Sequence, residues 1–352
     1  MNRHEPMTAA AVSPFSTIEY FDAWLDAFGG ARGDIWRSQD GGPVAIAFVR
    51  RDLRLGPLRI AAACGASNDH TARYDIVGEL KEPAGQLGTM LEALGVSLIS
   101  FDYLARDSRL LSAVRANDHG LWHHVDYCED SPCVDCQQPW EQYWISRGTT
   151  RQLWARRERK LMERMGAVFH CLDRWEEIEP LLPAVYEVEA SGWKGTQGSA
   201  IKQNPMTLGF YNRCLRHWAE RGWLRLFLLE LKGSIIAFQI AALDSGVIYQ
   251  IKVGYDECHA ALSPGQVLQL QLLRWAFANE RILAYDMLGG GGKAAANKRK
   301  WATDATPLYT LRVFRRSLGG GVAWLRFVVA PQLKAILFPK REARTTPTSD
   351  EP

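Results

Sequence analysis

"YQIKVGYDECHAALSPGQVLQLQLLRWAF", residues 249–277, is the stretch on which the reading of this chain turns. Residues 249–255 alternate as a half-buried strand does, Ser263-Pro264-Gly265 punctuates, and the apolar residues that follow recur at helical spacing. A helix that begins so abruptly after a strand presents unpaired N–H groups and the positive end of its dipole, which together suit a phosphate. Pro264 fits the first helical position, and Gly265 lets a ligand approach the backbone closely. On these residues alone, plain helix capping and phosphate binding both stay open.

The stretch has an echo upstream. "YDIVGE", "AGQLGTMLEALG" and "SLISFDYL" repeat the order strand, glycine-bearing helix, strand that 249–288 shows, and both closing strands carry Asp-x-Leu. This points to duplicated α/β halves. The segments "LRLFLLEL", "SIIAFQIAAL" and "VIYQIKVGYD" add strands to the second half, and "DIWRSQDGGPVAIAFVRRD" reads as a hairpin turning at residues 40–42.

The division this suggests is a flexible arm at 1–15, a first module at 16–138, a basic helical connector at 139–166, a second module at 167–315 and a basic tail at 316–352. The expected fold is α/β (α+β), two tandem modules each with a mixed central sheet flanked by helices. With 352 residues, 47% hydrophobic and 23% charged, the chain is long and apolar enough for two cores. A net charge of +3 makes no case for nucleic acid, and none is expected as partner. Seven scattered cysteines and no apolar export signal point to the cytoplasm.

"EASGWKGTQGSAI", "YQIKVGYDECHAALSPGQVL" and "YDMLGGGGKAAANKRKW" together resemble the CelD-like branch of the GNAT acyltransferase superfamily, itself similar to FemAB-type transferases. The likeness spans most of residues 140–315, and the first half fits a degenerate GNAT-like module, in which "HHVDYCEDSPCVDC" would be a strand leading to a Ser-Pro turn. It implies that Ser263, Gly265, Gln266 and Val267 cradle acyl-CoA, the donor, where other family members place a glycine-rich pyrophosphate loop. Trp193, Lys194 and Gly195 match the family's Trp-Lys-Gly motif, and Lys298 and Trp301 its Tyr-Lys-x-x-Trp, with Asn297 in the tyrosine's place and a longer glycine loop before it.

Glu189 stands one helical turn before Trp193, so an indole and a carboxylate are placed to bind and deprotonate an amine, which N-acylation requires. Asp286 closes a strand of buried pattern, and Tyr249 and Lys252 lie on the strand before the Ser-Pro-Gly helix. Glu189, Asp286 and Tyr249 are the catalytic candidates; Trp193, Lys194, Lys252 and Lys298 are the substrate-binding ones. The implied reaction is acyl transfer to an amine of a cell-envelope or lipid precursor, an amino sugar or a long-chain sphingoid base. FemAB-like transfer from aminoacyl-tRNA and a non-catalytic scaffold are the alternatives.

His123, His124, Cys128, Cys133 and Cys136 look like metal ligands, but a second Cys-x-x-Cys is missing and no metal is expected. The tail alternates Arg312, Arg315, Arg316, Arg326, Lys334, Lys340, Arg341 and Arg344 with Trp324, Phe327, Val328, Leu333, Ile336, Leu337 and Phe338. That composition suits peripheral contact with an anionic membrane, with Pro331 dividing the helix in two. Docking of the same apolar residues on the second module is the competing expectation.

Overall fold

In the computed structural model residues 13–38, 44–71, 73–116, 121–192, 198, 200–289 and 292–337 are described. Residues 249–277 fold as their pattern predicts: Val247–Tyr255 is a strand (β12), Glu257–Leu262 a short 3-10 turn and Pro264–Phe277 a helix. The chain then returns as Ala284–Asp286 (β13), parallel to β12, with Tyr249 opposite Asp286. The upstream echo is built alike. Ala62–Gly65 (β5) and Leu98–Ala105 (β7) are parallel, and the helix Pro83–Ala93 lies in the connection between them. A parallel pair needs such a crossover, so both halves solve one topological problem the same way.

One sheet of 12 strands runs through both halves. The first half contributes Gly33–Ser38 (β1), Val44–Arg50 (β2), β5 and β7, in that spatial order. The second contributes β13, β12, Ser234–Asp244 (β11), Leu224–Leu231 (β10) and Val168–Leu172 (β9). Between them stand Asp304–Phe314 (β14) and Trp122–Asp135 (β8). β14, counted with the second module from the sequence, inserts between β7 and β8 and pairs along its full length with β8. β8 in turn pairs with β13 through Cys133–Asp135, so the halves share a continuous hydrogen-bonded ladder.

Several local expectations are corrected. Residues 73–79 do not form a full strand; Val77–Gly78 (β6) alone pairs with β2. Their alternation arises because Tyr74 and Ile76 plug the core, Tyr74 donating to the Ala47 carbonyl at 2.7 Å, while Asp75 turns the other way to cap the helix Arg109–Ala116. No turn forms at Ser131-Pro132, because β8 continues to Asp135. Nor does Pro331 split the tail. A π-helical turn at Leu325–Val329 precedes it, and the chain stays helical from Leu318 to Leu337. The connector is three pieces, Trp140–Ser146, Thr150–Glu158 and a π turn at Arg159–Arg164. It packs on the Ser-Pro-Gly helix, where Glu158 accepts from Gln271 and Arg274, and on the helix Gly292–Trp301, where Trp154 stacks on Trp301 with centroids 3.5 Å apart.

Asp75 accepts from the N–H groups of Arg109 and Leu110, yet loss of surrounding water outweighs these bonds and pushes its carboxyl up to about 6. A raised acid pKa means that the folded chain holds this proton more tightly than the unfolded one. Its contribution to stability is therefore greatest below about pH 4 and falls as pH rises toward 6. Asn retains the helix cap without the charge. Denaturant unfolding of Asp75→Asn across this interval is expected to lack that fall; a pH slope equal to wild type would remove Asp75 as its source.

Candidate functional site

Where β13 ends at Asp286, the chain leaves β12 and a gap opens in the sheet. Asp286 makes that departure. Its carboxylate pairs with the Arg73 guanidinium, accepts from Ser131 Oγ at 2.6 Å, and accepts from the Leu288 N–H at 2.8 Å. The last bond holds Leu288 at φ 54°, a left-handed conformation that a bulky residue adopts only under constraint. Lys298 fastens the same turn by donating to the carbonyls of Leu288 (3.0 Å) and Gly289 (2.8 Å), and burial lowers its ammonium below the ordinary lysine range.

A cleft of about 620 Å³ occupies the gap and is lined from both faces of the sheet. On one face the helix Pro264–Phe277 covers β10–β12, and the cleft meets Ser263, Gly265, Gln266 and Trp301. Ser263 adopts φ 53°, ψ 50°, which directs its carbonyl into the helix mouth. Gln266 N–H bonds to that carbonyl at 3.0 Å and Val267 N–H at 3.3 Å. Among the described residues, the Gly265 N–H is then the helical amide left without a backbone partner, fewer than the sequence suggested. Val267 points into the apolar core and lines no part of the cleft. The nearest atom to an added Cβ at Gly265 would be Cδ1 of Tyr255, at 3.4 Å, an ordinary contact, so packing within the chain does not demand glycine. Arg157 donates to Gln266 Oε1, which sets a guanidinium beside the positive end of the helix. That is an unfavourable place for a cation unless an anion joins it.

At the floor of this side the Tyr285 hydroxyl lies 2.5 Å from Gln250 Oε1, 3.0 Å from Gln269 Oε1 and 3.1 Å from Gln239 Oε1. A phenol has one proton to donate, so at least two of these amides must turn an NH₂ toward it. Sequence reasoning missed this cluster. Its signal was there: glutamines interrupt the apolar runs "IIAFQIAAL" and "VLQLQLLRWAF".

The opposite face carries the other candidates. A bulge in β12 near Ile251 puts Lys252 opposite Ile240 and leaves Tyr249 opposite Ala242, so both project to one side although strict alternation would separate them. The Lys252 ammonium sits 5.3 Å from the centre of the Tyr211 ring. Tyr211's hydroxyl contacts His70 Nδ1 at 3.0 Å, and the His70 ring stacks on Phe28 with an interplanar angle of 5°. His70, from the first half, lines the cleft and was not foreseen, since a lone histidine in "SNDHTA" carries no motif.

Glu189, on the helix Leu182–Ala190, is 3% exposed and lines the cleft, with Oε2 accepting the Ile201 N–H at 2.8 Å. Gly254 permits this: a Cβ there would lie 2.5 Å from Phe238 and 3.4 Å from the Glu189 backbone. Tyr249 and Asp286 do not line the cleft. Tyr249 packs edge-on against Phe15 at 5.4 Å, and burial raises its phenol well above the ordinary range. Trp193, Lys194 and Gly195 lie outside the described residues. Along β8, His124 pairs with Asp126, and no three His, Cys, Asp or Glu side chains converge as metal ligands among the described residues.

Residues 149–298 match the family model described as an acetyltransferase (GNAT) domain. No curated protein sequence matches the chain. Solved structures similar to it include the C-terminal domain of a proposed lysylphosphatidylglycerol synthetase from Agrobacterium fabrum, 12% identical with a TM-score of 0.55, covering 90% of this chain and 96% of that one. L-PGS from Bacillus licheniformis is 18% identical, TM-score 0.52, covering 92% of this chain and 99% of that one. FemX is 10% identical, TM-score 0.54, covering 86% and 93%. At such identities the likeness is one of fold.

Proposed function

From the premise that this chain is a GNAT-superfamily acyltransferase with its GNAT domain at residues 149–298, we propose that it transfers an acyl group from acyl-CoA to the primary amine of a lipid or cell-envelope precursor. The observation that carries this reading is the cleft through the sheet, with an anion-seeking helix mouth on one side and a buried carboxylate on the other. The donor's diphosphate would take the Gly265 N–H and Arg157, and its thioester would reach through the gap beside β12. The amine would enter from the far face, where Lys252 and the Tyr211 ring form part of the wall.

Glu189 would take a proton from the ammonium, freeing its lone pair to attack the thioester carbonyl. The C–N bond forms, the C–S bond breaks, and the sulfur leaves as a thiolate that takes up the second proton lost by the nitrogen. In this reading backbone N–H groups of β12, whose residues 250–255 line the cleft, would hold the transient oxyanion. Phe15, Phe210, Trp218 and Phe238 line the acceptor side and favour a long-chain amine over an amino sugar. All seven cysteines are free thiols, which suits a reducing cytoplasm.

A valine at position 265 should spare the fold and obstruct the diphosphate. Calorimetry is expected to show CoA affinity reduced about ten-fold or more in Gly265→Val. Unchanged affinity would move the donor site elsewhere.

The likeness to FemX and to lysylphosphatidylglycerol synthetase domains spans both halves and favours a second reading, in which the donor is an aminoacyl ester on tRNA. Supplying labelled acyl-CoA and charged tRNA in parallel separates the two. Acceptor labelling from acyl-CoA alone supports the first; labelling from tRNA alone replaces it.

A further inference from the structure

The helical tail divides its apolar residues in two. Ala323, Val328, Trp324 and Phe327 turn inward onto β5, β7 and β14 through Ala62, Leu98 and Phe314, so the tail docks where the first half's strands meet β14. Leu318, Leu325, Leu333 and Leu337 turn outward and are 93%, 58%, 52% and 67% exposed. Their spacings of seven, eight and four residues are close to whole numbers of helical turns, the eight-residue step running through the wider π turn, so they lie along one side of the helix. Leu58, also exposed at 55%, lies on the hairpin Leu53–Leu55 (β3) and Leu58–Ile60 (β4), whose Leu53 packs against the same cluster.

Charge on this surface has one sign. No aspartate or glutamate occurs between Asp304 and Glu342. Arg316, Arg326 and Lys334 are exposed on or beside the tail, and Arg54 on the hairpin; none has an ion-pair partner among the described residues. The neighbouring acids are already engaged: Asp52 by Arg59, Glu92 by Arg315 and Asp126 by Arg312. No described helix is long and apolar enough to cross a membrane.

We infer that the outer face of residues 318–337, with the 53–60 hairpin, docks on the surface of an anionic phospholipid bilayer. The leucines enter the boundary between headgroups and acyl chains while Arg316, Arg326 and Lys334 meet lipid phosphates. This rests on the exposed leucines and unopposed cations, and it stands whether the donor is acyl-CoA or aminoacyl-tRNA. A soluble acidic protein would satisfy the cations, but it would leave a leucine stripe of this length without a stated complement, whereas a bilayer meets both.

The test is co-sedimentation of the full chain with vesicles of equal parts phosphatidylcholine and phosphatidylglycerol, and with vesicles of phosphatidylcholine alone. Binding to the anionic vesicles, its loss in molar salt and little binding to the neutral ones are expected. Arg316→Glu/Arg326→Glu/Lys334→Glu should weaken it by about 100-fold or more. Leu325→Ser/Leu333→Ser should weaken it independently while leaving the thermal midpoint near wild type, since both positions are exposed. No binding to anionic vesicles, or undiminished binding by both variants, overturns the proposal. So does a wild-type dimer that the leucine variant converts to monomer without changing vesicle binding, since the stripe would then be covered by a second copy.

Discussion

Glu189→Gln is expected to lower turnover by about 100- to 10,000-fold, the range typical of removing a general base, while leaving CoA affinity close to wild type. The substitution is chosen because it isolates proton transfer. The amide oxygen can still accept the Ile201 N–H that Glu189 Oε2 now holds, so the helix end and the turn that follows it keep their anchor. What disappears is the anionic acceptor in the cleft. Raising pH should restore part of the lost rate by supplying the amine already neutral. Turnover within a few-fold of wild type would transfer the role to another group, with His70 next to be replaced because it reaches the same cleft from the first half.

Asp286→Ala should instead be a stability mutant. Arg73 and Asp286 are both nearly excluded from water, with side chains 10% and 7% exposed, and removing one partner leaves the other charge buried and uncompensated. The usual cost is about 3–5 kcal/mol. Arg73 Nη1 already lacks a hydrogen-bond partner among the described residues, so no second acceptor is at hand. Ser131 Oγ and the left-handed Leu288 N–H lose their acceptor as well. Denaturant unfolding should therefore show a large loss in midpoint. Activity per folded molecule should fall less than in Glu189→Gln. Wild-type stability with abolished turnover would reverse this assignment and make Asp286 the base.

The contrast between these two carboxylates marks where sequence reading stops. From the sequence both looked like proton acceptors, Glu189 a helical turn before Trp193 and Asp286 at the end of a strand of buried pattern. Tertiary structure gives Asp286 a guanidinium from residue 73 and a hydroxyl from residue 131, while Glu189 keeps its place on the cleft wall. Such partners lie more than a hundred residues away in the chain, and no local spacing announces them.

The sequence by itself determined the α/β character, the strand and sharply started helix at 247–277, and the two crossover units. These depend on periodicity, proline and glycine, all of which act over a few residues. It also carried the exposed cations of the tail, because composition survives any fold. Only the tertiary structure decided that the halves share one sheet, with β14 threaded between β7 and β8, since strand pairing depends on which distant edge is open. It alone shifted Lys252 to the side of Tyr249 through a one-residue bulge, which reverses the facing that period-two alternation implies. It alone folded the tail's Trp324 and Phe327 inward and left Leu325 and Leu333 outside, because a helix chooses its buried face from the surface it lands on.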